Sequence, residues 1–325
     1  MKYVMGLDGG GSQTTAVIVN EAGTLVGEGH AGGANHQKTG IDATLNSISE
    51  ATGQALAAAE IDAEEVNFVQ YCLAGADREA DFRILQPALS TLPFGSWNLV
   101  SDAWQGLRAG TEDNVGVVLV CGSGTNAIGR SRSGHTVQVG GFGYLLGDAA
   151  GGTYLAMKAF RVALRSWEGR EAPTSLTERV PAALGFPCMQ DLYEYLLDHG
   201  ARHPRALDLS LVVHQAADDG DVVAQRLLQG MGRELASAAN AVITRLDGFA
   251  NETTIPVVVF GGMIQQGRSA WALDVLNAAI HERFPAAAVT ILDVMPVYGS
   301  VLLAFDQSGL TIPPGLKGHF LQQRK

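Results

Sequence analysis

The 325-residue chain has few of the residues that build disulfide scaffolds and metal clusters. Its three cysteines, Cys72, Cys121 and Cys188, are widely separated and form no C-x-x-C pair, which gives no support for a zinc or iron–sulfur motif. No run of about 20 apolar residues is present, which excludes a transmembrane helix. The first residues lack the pattern of a signal peptide. These absences predict a cytoplasmic protein with reduced thiols.

Positive charge is also scarce. Lys and Arg number 22 against 33 Asp and Glu, so the formal net charge is −11. This balance predicts that neither nucleic acid nor a membrane surface is a partner. A nucleotide is still compatible, because oriented backbone N–H groups and a metal ion can hold its phosphates. With 46% hydrophobic and 17% charged residues, the chain has the composition of a globular protein large enough for two domains.

Glycine is abundant instead, with 40 residues, and two glycine-rich turns are prominent. LDGGGSQT at 7–14 and CGSGTNAIGR at 121–130 each join two strand-like runs. Each turn predicts a β-hairpin whose bare backbone can approach a phosphate. The candidate phosphate contacts are Gly9, Gly10, Gly11, Ser12, Thr14, Gly122, Gly124 and Thr125. The P-loop string G-x-x-x-x-G-K-[ST] is absent.

Hydrophobic periodicity predicts the same order of elements twice. In each half, three strands precede alternating helices and strands, which indicates a duplication of topology rather than of sequence. We place one domain at 1–113 and the second at 114–304. The tail at about 305–325 is predicted to pack back on the first domain.

Several polar residues lie at the ends of predicted strands. Asp8 could hold Mg²⁺ beside bound phosphates or start an Asx turn. Asp102 could orient an acceptor hydroxyl and take its proton, although spacing alone favours a helix cap. Asp148 could accept hydrogen bonds from vicinal hydroxyls or cap the next helix. Asn35 and His36 could contact a sugar, but a single histidine is more often structural.

A third glycine pair, Gly261 and Gly262, follows the predicted strand at 256–260. A backbone without side chains there could lie against an adenine ring. Taken by itself, the pair is better explained as an ordinary turn between strand and helix.

Taken in order, these segments resemble the BadF/BadG/BcrA/BcrD ATPase family of the sugar kinase, actin and Hsp70 superfamily. They are most similar to its N-acetylglucosamine kinase branch. The resemblance rests on LDGGGSQT (7–14), GGANH (32–36), SDA (101–103), CGSGTNAIGR (121–130), GGFGYLLGDAAGG (140–152), VVFGGMIQQG (258–267) and PVYGSVLLA (296–304). It implies an α/β fold of two duplicated ribonuclease-H-like (actin-like ATPase) lobes with a nucleotide cleft between them.

The resemblance also implies roles for individual residues. The two hairpins would hold the phosphates of ATP, and Gly261 and Gly262 would contact adenosine. Asp8 would be associated with Mg²⁺, and Asp102 would be the general base rather than a cap. The sugar contacts would fall on Asn35, Asn126, Gly141 and Asp148.

The implied reaction is phosphorylation of N-acetylglucosamine at its 6-hydroxyl by a homodimeric, cytoplasmic enzyme. Glucosamine and N-acetylmuramic acid are alternative substrates. An ATPase that activates a dehydratase through an iron–sulfur cluster, and a sugar sensor without catalysis, are alternative functions. Ala149 stands where relatives often carry a glutamate, and Phe142 where a tryptophan is frequent. Both differences bear on which amino sugar is bound.

Overall fold

The computed structural model describes residues 1–199, 209–246, 249, 252–265 and 270–321. Positions 266 and 267 of the predicted adenosine motif and positions 322–325 of the predicted tail lie outside the described residues. The chain divides into two compact units. Unit 1 comprises Met1–Val118 and Thr290–Lys325, and unit 2 comprises Leu119–Val289.

Unit 1 is built on a five-stranded mixed sheet. Its strands are β1 (Tyr3–Gly9), β2 (Gln13–Asn20), β3 (Leu25–Gly32), β4 (Val66–Leu73) and β5 (Trp97–Ser101). Their order in the sheet is β3-β2-β1-β4-β5. The first three strands form an antiparallel meander, and β4 and β5 run parallel to β1.

Four helices follow these strands along the chain. They are α1 (His36–Thr39), α2 (Ile41–Ala59), α3 (Glu79–Leu89) and α4 (Asp102–Gly110). Alternate residues of a strand point to opposite faces of the sheet, and one face of this sheet forms a hydrophobic core with α2 and α3. Met5 and Leu7 join Ile48 and Leu85 in that hydrophobic core.

The second sheet repeats this arrangement. Its strands are β6 (Gly116–Cys121), β7 (Thr125–Arg130), β8 (Thr136–Val139), β9 (Ile255–Phe260) and β10 (Ala287–Ile291). Their order is β10-β9-β6-β7-β8, which is the order of the first sheet read from the opposite edge. The predicted duplicated α/β topology is therefore confirmed.

Unit 2 carries the remaining helices between its strands. They are α5 (Gly152–Trp167), α6 (Leu176–Leu184), α7 (Met189–His199), α8 (Leu209–Asp218), α9 (Val222–Arg245), α10 (Gly262–Gln265) and α11 (Ala270–Arg283). Helix α9 packs against α11 and against β7 and β8. No helix in the described ranges has the length and apolar character needed to cross a bilayer.

The last helix, α12 (Val297–Ser308), belongs to unit 1 and covers the second face of its sheet. It packs against β1, β4 and α4. Two glycines permit this close approach. A Cβ at Gly6 would lie 2.6 Å from the backbone N of Val301, and a Cβ at Gly299 would overlap the carbonyl oxygen of Gln105.

Candidate active site

Two acidic residues lie at the carboxyl end of the parallel strands in unit 1. Asp8 is the penultimate residue of β1 and is in register with Cys72 of β4, which in turn is in register with Val100 of β5. Asp102 follows β5 directly as the first residue of α4. Both carboxylates are partly buried. The fold thus brings Asp8 and Asp102 to the same edge of one sheet.

Burial shifts the pKa of both carboxyl groups upward. Burial, reinforced by the charges of Asp8 and Asp77, raises the pKa of Asp102 to about 7. Burial also raises the pKa of Asp8 to about 6, although a hydrogen bond from Gln105 acts in the opposite direction. A carboxylate with a pKa near neutrality is suited to accept a proton during a reaction, and such shifts are typical of functional sites.

A buried polar chain holds Asp8 in place. The side-chain amide of Gln105 donates from Nε2 to Asp8 Oδ1 at 2.6 Å. The hydroxyl of Ser300 donates to Gln105 Oε1 at 2.5 Å. Gln105 and Ser300 are both fully buried. Asp8 is therefore oriented from α4 and α12, which the sequence reasoning did not foresee.

The helix-cap interpretation of Asp102 is wrong by one residue. Ser101 occupies the N-cap position of α4, and Asp102 is the first helical residue. The Ser101 hydroxyl donates to Asp77 Oδ1 at 2.9 Å and lies 3.4 Å from Asp102 Oδ1. A carboxylate capping a helix has a lowered pKa, whereas that of Asp102 is raised.

The first glycine turn is closed by main-chain contacts. Gly10 N donates to Gln13 O at 2.9 Å, and Ala34 N donates to Gly10 O at 3.0 Å, so the 32–35 loop packs on the turn. The Thr14 hydroxyl donates to Gly32 O at 2.7 Å, which makes Thr14 a brace between β2 and β3. Ser12 is exposed at the tip.

Asn35 and His36 lie beside this turn in unit 1. The Asn35 side chain caps α1, since its Oδ1 accepts from Gln37 N at 3.0 Å. His36 Nε2 lies 3.3 Å from Asp81 Oδ1, and Asp81 is also paired with Arg78. The imidazole is thus held within the protein, with Nδ1 buried and without a hydrogen-bond partner among the described residues.

The second glycine turn is similarly closed. Gly122 N donates to Gly124 O at 3.0 Å, and the Thr125 hydroxyl donates to Val120 O at 3.0 Å. Gly261 packs against this turn with a φ of +110°, and a Cβ there would lie 2.5 Å from the carbonyl carbon of Cys121. Gly262 then begins α10.

Gly122 and Gly124 differ from the glycine at 261. Neither has a positive φ, and a Cβ at either position would meet nothing within 4 Å. Neither backbone conformation nor packing within the protein therefore requires glycine there. The open space beside their main chain fits an approaching anion, which a side chain would obstruct.

Three candidate sugar contacts meet in unit 2. Asp148 accepts hydrogen bonds from Gly141 N at 3.1 Å and from Gly143 N at 2.5 Å, and so fixes the glycine-rich loop. A Cβ at Gly141 would lie 2.8 Å from Asn126 Cγ. Helix α5 begins four residues after Asp148 and has Gly151 as its N-cap, so the cap interpretation of Asp148 is wrong.

The predicted site residues form two groups, one in each unit. Asp8, the 9–14 turn, Asn35, His36 and Asp102 belong to unit 1. The other group, in unit 2, consists of Gly122, Gly124, Thr125, Asn126, Gly141, Asp148, Gly261 and Gly262.

The donor set in unit 1 fits a magnesium ion. The described part of the chain holds no cluster of three His, Cys, Asp or Glu side chains that could hold a metal. Mg²⁺ needs fewer protein ligands, because it binds through one or two carboxylates together with phosphate oxygens and water. Asp8 supplies such a carboxylate, with one oxygen already oriented by Gln105.

The chain is similar in sequence to one protein family and to several kinases of known name. Residues 5–304 match the model of the BadF/BadG/BcrA/BcrD ATPase family. An N-acetylmuramic acid/N-acetylglucosamine kinase of Clostridium acetobutylicum is 27% identical over 94% of this chain and 98% of its own length. An N-acetyl-D-glucosamine kinase of Dictyostelium discoideum is 28% identical over 93% of this chain and 97% of its own.

Solved structures share the fold. A protein of Chromobacterium violaceum, provisionally assigned as an N-acetylglucosamine kinase, superimposes with a TM-score of 0.75 at 21% identity, covering 94% of this chain and 99% of that one. A ROK family glucokinase of Streptomyces griseus, in complex with glucose and AMPPNP, gives a TM-score of 0.60 at 16% identity over 94% and 99% of the two chains.

Proposed function

Because this chain belongs to the BadF/BadG/BcrA/BcrD ATPase family, we propose that it is an ATP-dependent amino-sugar kinase. It converts N-acetylglucosamine and ATP into N-acetylglucosamine 6-phosphate and ADP. Two relatives that match nearly the whole chain carry kinase names with this sugar. The observation that carries the proposal is Asp102, a partly buried carboxylate with a pKa of about 7 at the edge of the unit 1 sheet.

In this reaction Asp102 acts as the general base. It accepts the proton of the sugar 6-hydroxyl while that oxygen forms a bond to the γ-phosphorus of ATP. The bond between the γ-phosphorus and the bridging oxygen breaks, and ADP leaves. A pKa near the working pH lets Asp102 be ionised before the transfer and still hold the proton afterwards.

The glycine turns bind the nucleotide. Backbone N–H groups near the tips of the 9–14 and 122–125 turns hold phosphate oxygens and oppose the charge that develops during transfer. Gly122 contributes its bare main chain and not its N–H, which is bonded to Gly124 O. Gly261 and Gly262 contact the adenosine. Asp8 would hold the Mg²⁺ ion, which neutralises phosphate charge when bound.

The proposed sugar contacts are Asn35 and His36 in unit 1 and Asn126, Gly141 and Asp148 in unit 2. An ionised carboxylate has about four acceptor positions. Asp148 can therefore receive hydrogen bonds from sugar hydroxyls in addition to the two from its own loop.

The cysteines bear on the dehydratase-activator alternative. Cys72 and Cys121 are buried, and burial raises the pKa of both thiols. Cluster ligands are thiolates. These two residues are thus poor candidates for holding an iron–sulfur cluster.

An ADP-release assay tests the proposal. The protein is given Mg²⁺-ATP with N-acetylglucosamine, glucosamine or N-acetylmuramic acid in turn, and Asp102→Ala serves as the matched variant. We expect sugar-dependent ADP release that the variant lowers by orders of magnitude while ATP binding is nearly unchanged. Absence of sugar-dependent release would refute the kinase assignment, and near-normal turnover by the variant would remove Asp102 from the mechanism. A homodimer stays a prediction that sedimentation can test.

A further inference from the structure

A pocket opens in unit 2 beside two of the proposed sugar contacts. It lies between α9, the beginning of β7 and the loop that follows β8, and Asn126 and Asp148 are part of its wall. Most of the remaining wall is small and apolar, including Ala127, Val139 and Ala149. The pocket therefore has room for a substituent on a sugar ring that these polar residues hold.

One stripe of α9 forms a side of this pocket. Glu234, Ser237, Ala238 and Ala241 line it at positions i, i+3, i+4 and i+7, which is one face of a helix. The opposite face is buried in the core. Three small side chains leave the pocket open, and Glu234 is the only acidic residue that the stripe contributes among the described lining residues.

The charges around the pocket are of one sign. Asp148 and Glu234 are its acidic lining residues, and no basic side chain is found among the lining residues that the structure describes. The charge of Asp148 is partly compensated, because its two oxygens accept hydrogen bonds from Gly141 and Gly143. Glu234 is exposed on α9 and forms no ion pair with a described residue. No described basic side chain that lines the pocket offsets its charge, which therefore adds to the negative potential that a substituent in the pocket meets.

We propose that this pocket receives the substituents around the amino-bearing carbon of the sugar, and that Glu234 makes it reject anionic amino sugars. A neutral acetamido group fits the small apolar wall, and an ammonium group is attracted by the carboxylate. The lactyl ether of N-acetylmuramic acid carries a carboxylate, which Glu234 repels. The inference rests on the proposed kinase function and narrows it to uncharged or cationic amino sugars.

The experiment compares two substrates in variants of one residue. Glu234→Gln removes the charge and keeps the size, and Glu234→Ala removes both at an exposed helical position. Glu282→Gln, an exposed carboxylate on α11, is the control for the same change in net charge. For each protein, kcat/KM is measured with N-acetylglucosamine and with N-acetylmuramic acid at saturating Mg²⁺-ATP.

The ratio of the two kcat/KM values reports the discrimination. We expect the wild type to prefer N-acetylglucosamine. Both Glu234 variants should raise the relative rate with N-acetylmuramic acid by about tenfold, which is the upper end of what one like charge at an exposed site can cause. The control should leave the ratio unchanged. A ratio that stays within about twofold in both Glu234 variants, or equal use of both sugars by the wild type, overturns the inference while the kinase assignment stands. Failure of every amino sugar to release ADP overturns both.

Discussion

Neutralising Asp102 should stabilise the protein while it abolishes catalysis. Folding raises the pKa of this carboxyl group from 3.8 to about 7. Between these two pH values the folded protein keeps the proton, whereas the unfolded chain has released it. Stability therefore falls as pH rises from 3.8 to about 7. Asp102→Asn keeps the shape of the side chain and removes the charge, so it removes this cost.

The size of the effect follows from the pKa difference. At about 1.4 kcal/mol for each pH unit, the ionised carboxylate costs at most about 4 kcal/mol at pH 8. At pH 5 the folded protein keeps the proton, so the cost is only about 2 kcal/mol. The advantage of the variant should thus grow by about 3 kcal/mol between the two pH values, since the cost rises by about 1.4 kcal/mol for each of the two pH units from 5 to about 7.

Urea unfolding of the wild type and of Asp102→Asn at pH 5 and pH 8 measures this difference. Asp274→Asn, which removes an exposed carboxylate on α11, controls for the change in net charge. The control should shift stability little and equally at both pH values. If Asp102→Asn is no more stable than the wild type at pH 8, or if its advantage does not depend on pH, burial is not what raises the pKa of this group.

Three further perturbations test other parts of the site. Gln105→Met removes the hydrogen bond to Asp8, so the pKa of Asp8 should rise above 6. The Mg²⁺ concentration that gives half-maximal rate should then increase, and more so at pH 6.5 than at pH 8. An unchanged Mg²⁺ requirement would contradict this. Gly122→Ala should raise the KM for ATP about tenfold. The free energy of unfolding should not change, because the added Cβ meets no protein atom. Gly95→Ala, at an equally open position, is the control and should change neither quantity. Equal KM values in the two variants would argue against a phosphate at Gly122. Asp77→Asn removes a negative charge that raises the pKa of Asp102, the proposed general base. The acid limb of the kcat/KM profile should therefore move to lower pH, and a shift to higher pH would refute the assignment.

The duplicated topology could be predicted because it depends on local signals. Apolar runs that end in glycine mark the strands, and the 3.6-residue period marks helices such as α2 and α9. Helix α6 escaped prediction, since Pro181 interrupts its periodic pattern although the helix tolerates it. The glycine turns could be predicted for the same reason as the strands, because clusters of glycine are a local feature that the sequence shows directly.

The supports of Asp8 could not be predicted, because they depend on tertiary contacts. Ser300 lies 195 positions from Gln105 along the chain, yet their side chains hydrogen-bond in the core. A partial signal existed for Gln105, which follows Asp102 by about one helical turn and so can share a face with it. The hydroxyl partners of Thr14 and Thr125 were likewise invisible, because each donates to a main-chain carbonyl whose position only the folded sheet defines.

The different environments of Asp8 and Asp102 explain how two carboxylates at one sheet edge can have separate roles. Burial raises the pKa of both, but only Asp8 receives the side-chain amide of Gln105, and its pKa is about 6 against about 7 for Asp102. Because the pKa of Asp8 is raised less, Asp8 keeps the ionised form suited to a cation down to lower pH than Asp102 does. Pairs of acids whose pKa values are set apart in this way can divide metal binding and proton transfer between them. Helix α4 carries both Asp102, the proposed base, and Gln105, which lies one turn further along the helix and donates to Asp8, so one helix positions both carboxyl groups.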